Sequence, residues 1–292
     1  MKSFPQSAQR TGKILFLAPA LLLFAAFFIY PIGLVCVTSL TSWDGLSSPV
    51  WAGLKNYQRL LSDEVFATAL RNNLLWALAG MVQVALATGV ALILAKKPKG
   101  WKILRTIYFF PNVISGIALA MMWTAIYNNE YGLLNTLLKL IGLGGLRANW
   151  LGDLRATLPA LLIYGVFYIG YYLIIILAEI SAIPESYYEA ASIDGANGFK
   201  RDWYITLPLI RGAVLTCATL AVIYGLRQFE QVLLMTNGGP ANSTAVVVLY
   251  LYNKLQDFQY GLANTAVVVL MGLGFLLIML LRKLLGGHER AA

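Results

Sequence analysis

The chain alternates between long apolar runs and short polar loops. Six runs predict membrane-spanning helices, at about 14–40, 68–95, 103–127, 157–179, 210–235 and 260–282. A hydrocarbon core about 30 Å thick needs roughly 20 apolar residues, so each run is long enough to cross it once. The pattern therefore predicts an all-α, multi-pass membrane protein in which residues 1–292 form a single transmembrane domain.

The first apolar run follows Lys2, Arg10 and Lys13, an order that is also found in signal peptides. However, the run continues to about residue 40 and contains no small-residue cleavage site. We therefore expect it to be retained as the first span.

Composition supports the membrane class. Of the 292 residues, 59% are hydrophobic and 12% are charged, and the mean hydropathy is +0.70. The net charge of +9 does not indicate nucleic-acid binding, because the basic residues are scattered over short loops. Cys36 and Cys217 lie in apolar segments, where they are expected to be small buried hydrophobes and not a disulfide.

Lysine and arginine predict the orientation of the spans, because cytoplasmic loops carry an excess of them. The richer side contains the two chain ends, the loop between the second and third spans, and the polar block that precedes the fifth span. Its basic residues are Lys2, Arg10, Lys13, Lys96, Lys97, Lys99, Lys102, Arg105, Lys200, Arg201, Arg211, Arg282, Lys283 and Arg290. Both termini and the polar block are therefore expected in the cytoplasm of a prokaryotic cell, at its inner membrane.

The polar block, residues 180–209, predicts a helical hairpin between the fourth and fifth spans. Pro184 suits the first turn of a helix, and Gly195 and Gly198 permit a turn after it. A second short helix is expected over 199–207.

One face of the first hairpin helix holds Tyr187, Ala190, Ala191 and Asp194, by helical spacing. Small side chains allow a partner to approach closely, and Glu189 beside them offers a carboxylate to a partner arginine. The block is therefore either a docking surface or a simple re-entry loop.

The block resembles the coupling loop of ABC importer permeases with the type I fold. The signature Glu-Ala-Ala, three residues, Gly, nine residues, Ile-x-Leu-Pro is matched here without a spacing error. The segment Thr236–Pro240 and the outer-loop segment Gly53–Tyr57 resemble the carbohydrate-uptake branch of that family, which includes maltose, glycerol-phosphate and oligosaccharide permeases. The matched coupling positions, with Asp194 from the same face, are Glu189, Ala190, Ala191, Asp194, Gly195, Ile205, Leu207 and Pro208.

The resemblance implies a transport subunit that forms half of a sugar pathway. Its implied partners are a second homologous permease subunit, two ATPase subunits and an extracytoplasmic solute-binding protein, all acting at a lipid bilayer. The chain has no G-x-x-x-x-G-K-[ST] loop. We therefore expect no catalytic residue, cofactor or metal in this chain, with ATP and Mg held by the partner ATPase.

Polar side chains within the spans are the candidates for contact with substrate, because they are costly in a membrane. Tyr224, Gln228 and Gln231 form one stripe of the fifth span, and Tyr164, Tyr168 and Tyr171 form one stripe of the fourth. Aromatic faces suit sugar rings and amides suit hydroxyl groups. The same stripes could equally hold helices together.

Arg227 and Glu230 lie three residues apart, which predicts that they neutralise each other. Alternatively, Arg227 binds an anionic sugar and joins the pathway residues. Several amides are weaker candidates and are expected to form packing hydrogen bonds: Asn72, Asn73, Gln83, Asn112 and Asn264.

Three other classes of function compete with a sugar permease. An ABC permease for a non-sugar solute would share the coupling signature. An ion-coupled secondary transporter would need embedded carboxylates, and only Glu230 qualifies. An intramembrane enzyme would need a paired His/Asp/Glu or Ser/Lys constellation, which the predicted spans lack.

Overall fold

The computed structural model describes residues 16–285, most of which are helical. The helices are α1 (Phe16–Thr38), α2 (Lys55–Leu61), α3 (Glu64–Ala95), α4 (Trp101–Val113), α5 (Gly116–Ile126), α6 (Leu133–Leu140), α7 (Thr157–Val166), α8 (Gly170–Ala182), α9 (Glu185–Ile193), α10 (Gly198–Leu209), α11 (Arg211–Leu226), α12 (Glu230–Met235), α13 (Val247–Gln256) and α14 (Tyr260–Leu285). Two short strands, β1 (Thr41–Ser42) and β2 (Val50–Trp51), form the only sheet in this part of the chain. Of the basic residues that predict the orientation, Lys2, Arg10, Lys13 and Arg290 lie outside the described residues.

The all-α membrane fold expected from the sequence is confirmed. Among the described residues, four helical segments are long and apolar enough to cross a membrane: α1, α3, α7 with α8, and α14. Two further segments are bent pairs, α4 with α5 at 102° and α10 with α11 at 68°. Six crossings follow if each bent pair counts as one.

The helix boundaries in the structure differ from the predicted ones where the sequence contains a helix cap or a helix break. Helix α3 begins four residues before position 68, because the Asp63 carboxylate accepts hydrogen bonds from the N–H groups of Val65 and Phe66, at 2.9 and 3.3 Å. The third predicted span, 103–127, is divided at Ile114 and Ser115, after a 3₁₀ turn that contains Pro111. Both proline and 3₁₀ turns end regular α-helix.

The fourth and fifth predicted spans are also interrupted. The run 157–179 becomes α7 and α8, with a gap at 167–169, and it extends to Ala182. The run 210–235 becomes α11 and α12, with a gap at 227–229. Uniform hydrophobicity predicted continuous helices here, and that expectation was wrong in both spans.

The chain divides into two compact units. Among the described residues, the larger comprises 63–250 and 270–285. Its main core packs α3, α8 and α11 together through buried aliphatic side chains such as Ala87, Leu173 and Ala221. A second cluster joins α5, α7 and α12 through Leu119, Leu161 and Val232.

Among the described residues, the smaller unit comprises 16–62 and 251–269. Strands β1 and β2 pair antiparallel within it, with Thr41 opposite Trp51. The Asn56 amide donates to the carbonyl oxygens of Ser39 and Thr41, at 3.0 and 2.8 Å. Asn264 donates to the Thr38 hydroxyl at 2.7 Å, so it forms a packing hydrogen bond as expected. The prediction that residues 1–292 form a single domain stays a prediction.

Candidate functional site

A cavity of about 740 Å³ lies within the larger unit, where the interrupted spans meet. All seven pathway residues predicted from the sequence line it, and so do Glu230 and the weaker candidates Gln83 and Asn112. The full lining is Gln83, Asn112, Tyr164, Gly165, Tyr168, Tyr171, Tyr172, Leu220, Ile223, Tyr224, Arg227, Gln228, Phe229, Glu230, Gln231 and Val248. Thus the stripes predicted on two separate spans line one cavity.

The lining includes the residues at which three spans break. Asn112 precedes the break between α4 and α5, Tyr168 lies between α7 and α8, and Gln228 and Phe229 lie between α11 and α12. Non-helical backbone at membrane depth is tolerated where it lines a cavity within the protein. Discontinuous helices around a central cavity are typical of transporter binding sites.

Buried amides of α3 hold two of these breaks in place. The Asn73 amide donates to the carbonyl oxygens of Gly225 and Leu226, at 2.9 and 3.1 Å, and its oxygen accepts the Val247 N–H at 2.8 Å. The Gln83 amide donates to the Gly165 carbonyl oxygen. These bonds satisfy backbone groups that a continuous helix would pair internally.

The tyrosines of the cavity are of two kinds. Tyr164 is buried, and its ring lies 5.2 Å from that of Tyr168, whose hydroxyl accepts a hydrogen bond from the Trp123 indole. Tyr171 and Tyr224 are about half exposed. The first pair therefore supports the wall, while the second pair presents aromatic faces to the space.

The amides of the fifth span are the most distinctive polar groups. Gln228 is 2% exposed, and neither its side-chain nitrogen nor its oxygen makes a hydrogen bond of good geometry. It lies next to the Tyr224 hydroxyl, which accepts a long hydrogen bond of 3.5 Å from Gln231. A buried amide without a hydrogen bond of good geometry is costly, so Gln228 is a weak point of the cavity wall.

Arg227 and Glu230 do not form the ion pair expected from their spacing. The helix breaks between them, so they do not lie on successive turns of one helix. Both residues lie in the described part of the chain, and no salt bridge within 4.0 Å joins them. A Glu230 carboxylate oxygen instead lies close to Gly116, at the N-terminal end of α5, where the helix dipole favours an anion.

The coupling hairpin is formed by α9, α10 and the turn between them. Gly195 adopts a left-handed conformation with φ of 75°. The N–H groups of Gly195 and Ala196 donate to the carbonyl oxygens of Ser192 and Ala191, at 3.2 and 2.9 Å, which is the Schellman arrangement. Gly198 differs from the prediction because it begins α10, where Asn197 caps the helix at 3.1 Å.

The hairpin does not present all of the predicted face to solvent. Ala191 is buried, whereas Glu189, Ala190, Asp194 and Gly195 are exposed. The expectation that Ala190 and Ala191 share one exposed face was therefore wrong, since Ala191 packs within the protein. The exposed surface also carries large apolar side chains that the motif did not indicate: Tyr187, Ile193, Phe199, Trp203 and Tyr204.

The second hairpin helix is attached to the core. Leu207 packs against the cluster formed by α3, α8 and α11, next to fully buried Ile210. Ile205 is half-buried and Pro208 is exposed. The Lys96 ammonium pairs with the Asp202 carboxylate at 2.5 Å, which ties the end of α3 to α10.

The Thr236–Pro240 segment forms a compact turn after α12. The Thr236 and Thr244 hydroxyl groups lie 2.8 Å apart, and the Thr244 hydroxyl donates to the Gly239 carbonyl oxygen at 2.8 Å. Gly238 is left-handed with φ of 80°. The contacts of this segment give it a structural role, because none of its residues lines the cavity.

Broken spans around a polar cavity, with an exposed helical hairpin at the end of the core, define a membrane transport subunit. Residues 85–288 match the family model described as binding-protein-dependent transport system inner membrane component. The chain belongs to this family, whose members are the permease subunits of ABC importers; ATP hydrolysis resides in a separate ATPase chain.

Individual relatives align in sequence with almost the whole chain. The diacetylchitobiose uptake system permease protein NgcF of Streptomyces coelicolor is 35% identical, covering 94% of this chain and 83% of its own. The lactose transport system permease protein LacF of Rhizobium radiobacter is 34% identical, covering 88% and 89%. In structure, the chain resembles a bacterial ABC transporter for the acidic polysaccharide alginate, with a TM-score of 0.82, 21% identity, and coverage of 98% and 100%.

Proposed function

We propose that this chain forms half of the pathway by which an ABC importer takes up a sugar or oligosaccharide. The observation that carries the proposal is the cavity at the broken spans, because its lining combines exposed tyrosine faces with the amides of Gln228 and Gln231. Aromatic faces pack against sugar rings, and amides bind hydroxyl groups in pockets of this kind. The names of the diacetylchitobiose and lactose relatives support a carbohydrate.

The proposed partners are a second homologous permease, two ATPase subunits that bind ATP and Mg, and a solute-binding protein. The exposed hairpin would dock on an ATPase subunit, with Glu189 offered to a basic side chain. Leu207 and the Lys96–Asp202 ion pair connect the hairpin to α3, and α3 reaches the cavity at Gln83. This chain of contacts is a physical route from ATPase closure to the pathway.

The proposed orientation places both termini in the cytoplasm of a prokaryotic cell. It is supported by the position of the hairpin, which lies beside the basic residues at the end of α3 and the start of α4. A cysteine introduced next to the hairpin should then react with a membrane-impermeant reagent only after the cells are opened.

The proposal is tested by reconstituting the complete complex with its binding protein in proteoliposomes. We expect ATP hydrolysis and sugar uptake that both require the loaded binding protein, with diacetylchitobiose and lactose as first probes. Uptake driven by an ion gradient in the absence of ATPase subunits would contradict the proposal.

An acidic sugar is a second candidate substrate, and Arg227 favours it. Its exposed guanidinium lines the cavity without a salt-bridge partner among the described residues. A guanidinium binds carboxylates with two parallel hydrogen bonds. An Arg227→Gln variant that loses uptake of a uronate oligosaccharide, but not of a neutral one, would support this candidate.

A further inference from the structure

A second cavity lies beside the end of α3, and it shares no lining residue with the first cavity. Its volume is about 200 Å³, and it is enclosed by the last turn of α3, the start of α4 and the second half of α8. Most of the walls are apolar, and Trp101, Lys97 and Arg105 lie among them. The lining is Leu94, Ala95, Lys97, Trp101, Arg105, Ile174, Leu177, Ala178 and Ser181.

The cations at this cavity have no anionic partner. The stretch from residue 97 to residue 105 carries Lys97, Lys99, Lys102 and Arg105. None of the four forms a salt bridge within 4.0 Å in the described part of the chain. No carboxylate lines this cavity, so its local charge is positive.

Trp101 is the aromatic residue of the cavity lining, and two cations lie over its ring. The Arg105 guanidinium lies over its ring, 5.3 Å from the centroid, and the Lys102 ammonium lies 6.0 Å away. Tryptophan favours the boundary between hydrocarbon and headgroups. The cavity therefore has the composition of a membrane interface, with cations on one side and aliphatic walls on the other.

The backbone fixes the position of Lys97. This residue is left-handed, with φ of 50°, and its N–H donates to the Leu94 carbonyl oxygen at 2.9 Å as α3 ends. Residues other than glycine are uncommon in this conformation, and asparagine is among those that tolerate it best. An Lys97→Asn change therefore removes the cation and suits the backbone.

We propose that this cavity binds an anionic phospholipid. The phosphate would lie between Lys97 and Arg105, with Trp101 at the headgroup level and an acyl chain against Leu94, Ile174 and Leu177. Basic pockets between membrane helices bind anionic lipid headgroups in this way, with charge-assisted hydrogen bonds to phosphate oxygens. The proposal rests on the membrane location of the chain and is independent of the transported solute.

The test is lipid titration of the full-length chain in a mild detergent, followed by native mass spectrometry. Phosphatidylglycerol and phosphatidylcholine are compared on wild type, on Lys97→Asn/Arg105→Gln, and on Lys99→Gln/Lys102→Gln. The last variant is the control, because it also removes two positive charges, but from residues that do not line the cavity. Because each basic residue near an anionic surface is worth about fivefold, we expect the first variant to bind phosphatidylglycerol about thirtyfold more weakly.

The expected pattern has three parts: wild type prefers phosphatidylglycerol, the control variant keeps most of that preference, and the cavity variant loses it. An equal loss in both variants would show diffuse surface attraction and overturn the proposal. So would equal binding of the two lipids by wild type, or competition by free glycerol 1-phosphate at the same concentration as the lipid. Thermal unfolding of each variant shows whether the substitutions weaken folding. If the double variant folds poorly, phosphatidylglycerol binding is measured on Arg105→Gln alone.

Discussion

The cavity at the broken spans and the coupling hairpin orient their distinctive side chains in opposite ways. In the cavity, polar side chains line the space, and Gln228 is buried without a hydrogen bond of good geometry. In the hairpin, large apolar side chains such as Ile193 and Trp203 point outward, at 87% and 58% exposure. In each region, some side chains lie in surroundings that do not match their polarity. Under the proposed function, the cavity would bind a polar ligand and the hairpin would contact an apolar protein surface.

The largest expected effect is on the scaffold of the cavity. Asn73→Leu leaves the Gly225 and Leu226 carbonyl oxygens and the Val247 N–H without a partner. Each buried unsatisfied group costs about 1–3 kcal/mol, so little folded permease should accumulate. Detergent-extracted yield and thermal unfolding measure this, with exposed Asn149→Leu as the control. Normal yield of the Asn73 variant would show that these hydrogen bonds do not hold the break.

The second-largest expected effect tests whether the hairpin is a docking surface for an ATPase subunit. Glu189→Lys reverses an exposed charge, and repulsion of a partner cation should cost about 2–5 kcal/mol at a partly shielded interface. Membrane levels of the permease should be normal while ATPase subunits fail to co-purify. The matched control is Glu130→Lys, an exposed reversal in the loop before α6. Undiminished ATPase association of the Glu189 variant would leave the hairpin as a simple connection.

Tyr224→Ala tests the aromatic face of the cavity. Losing a hydroxyl hydrogen bond and a ring contact should each cost about 0.5–1.5 kcal/mol, which predicts a several-fold to tenfold loss of uptake. Phe167→Ala is the control, because Phe167 is an exposed aromatic in the same region that does not line the cavity. Equal loss in the two variants would indicate a packing role.

The smallest expected effect concerns two glycines of the hairpin. A side chain at Gly195 is strained by its φ of 75°, so Gly195→Ala should destabilise the turn by roughly 1 kcal/mol. Gly198 has no such constraint, and a Cβ there would meet only the Lys96 ammonium at 3.8 Å. ATPase stimulation by the loaded binding protein should fall modestly for the first variant alone. A similar fall for Gly198→Ala would contradict the assignment of the turn to Gly195.

The sequence predicted the cavity better than it predicted the helices around it. Polar residues stand out in apolar spans, so helical spacing alone places Tyr164, Tyr224 and Gln228 on stripes. Hydropathy did not predict the breaks, although polar residues such as Arg227 and Gln228 lie at one of them. The breaks depend on tertiary hydrogen bonds from Asn73 and Gln83, which lie more than 80 residues away in sequence from the carbonyl groups they bind.

Two failed expectations show why local spacing misled. Arg227 and Glu230 would pair on a continuous helix, and the break in the fifth span separates them. Ala191 lies on the predicted face of the hairpin helix, yet it is buried, because the helix packs against its own unit. Sequence spacing describes an isolated helix, and both failures occur where the rest of the protein overrides it.

The most direct test of the account is Gln228→Leu. The change keeps the approximate volume and removes the buried amide that makes no hydrogen bond of good geometry, so folding should not be weakened. Uptake is measured at several substrate concentrations and normalised to assembled complex, alongside the thermal midpoint. We predict an undiminished midpoint with a several-fold loss of normalised uptake. A lowered midpoint together with normal uptake per assembled complex would show that Gln228 belongs to the scaffold and would contradict the account.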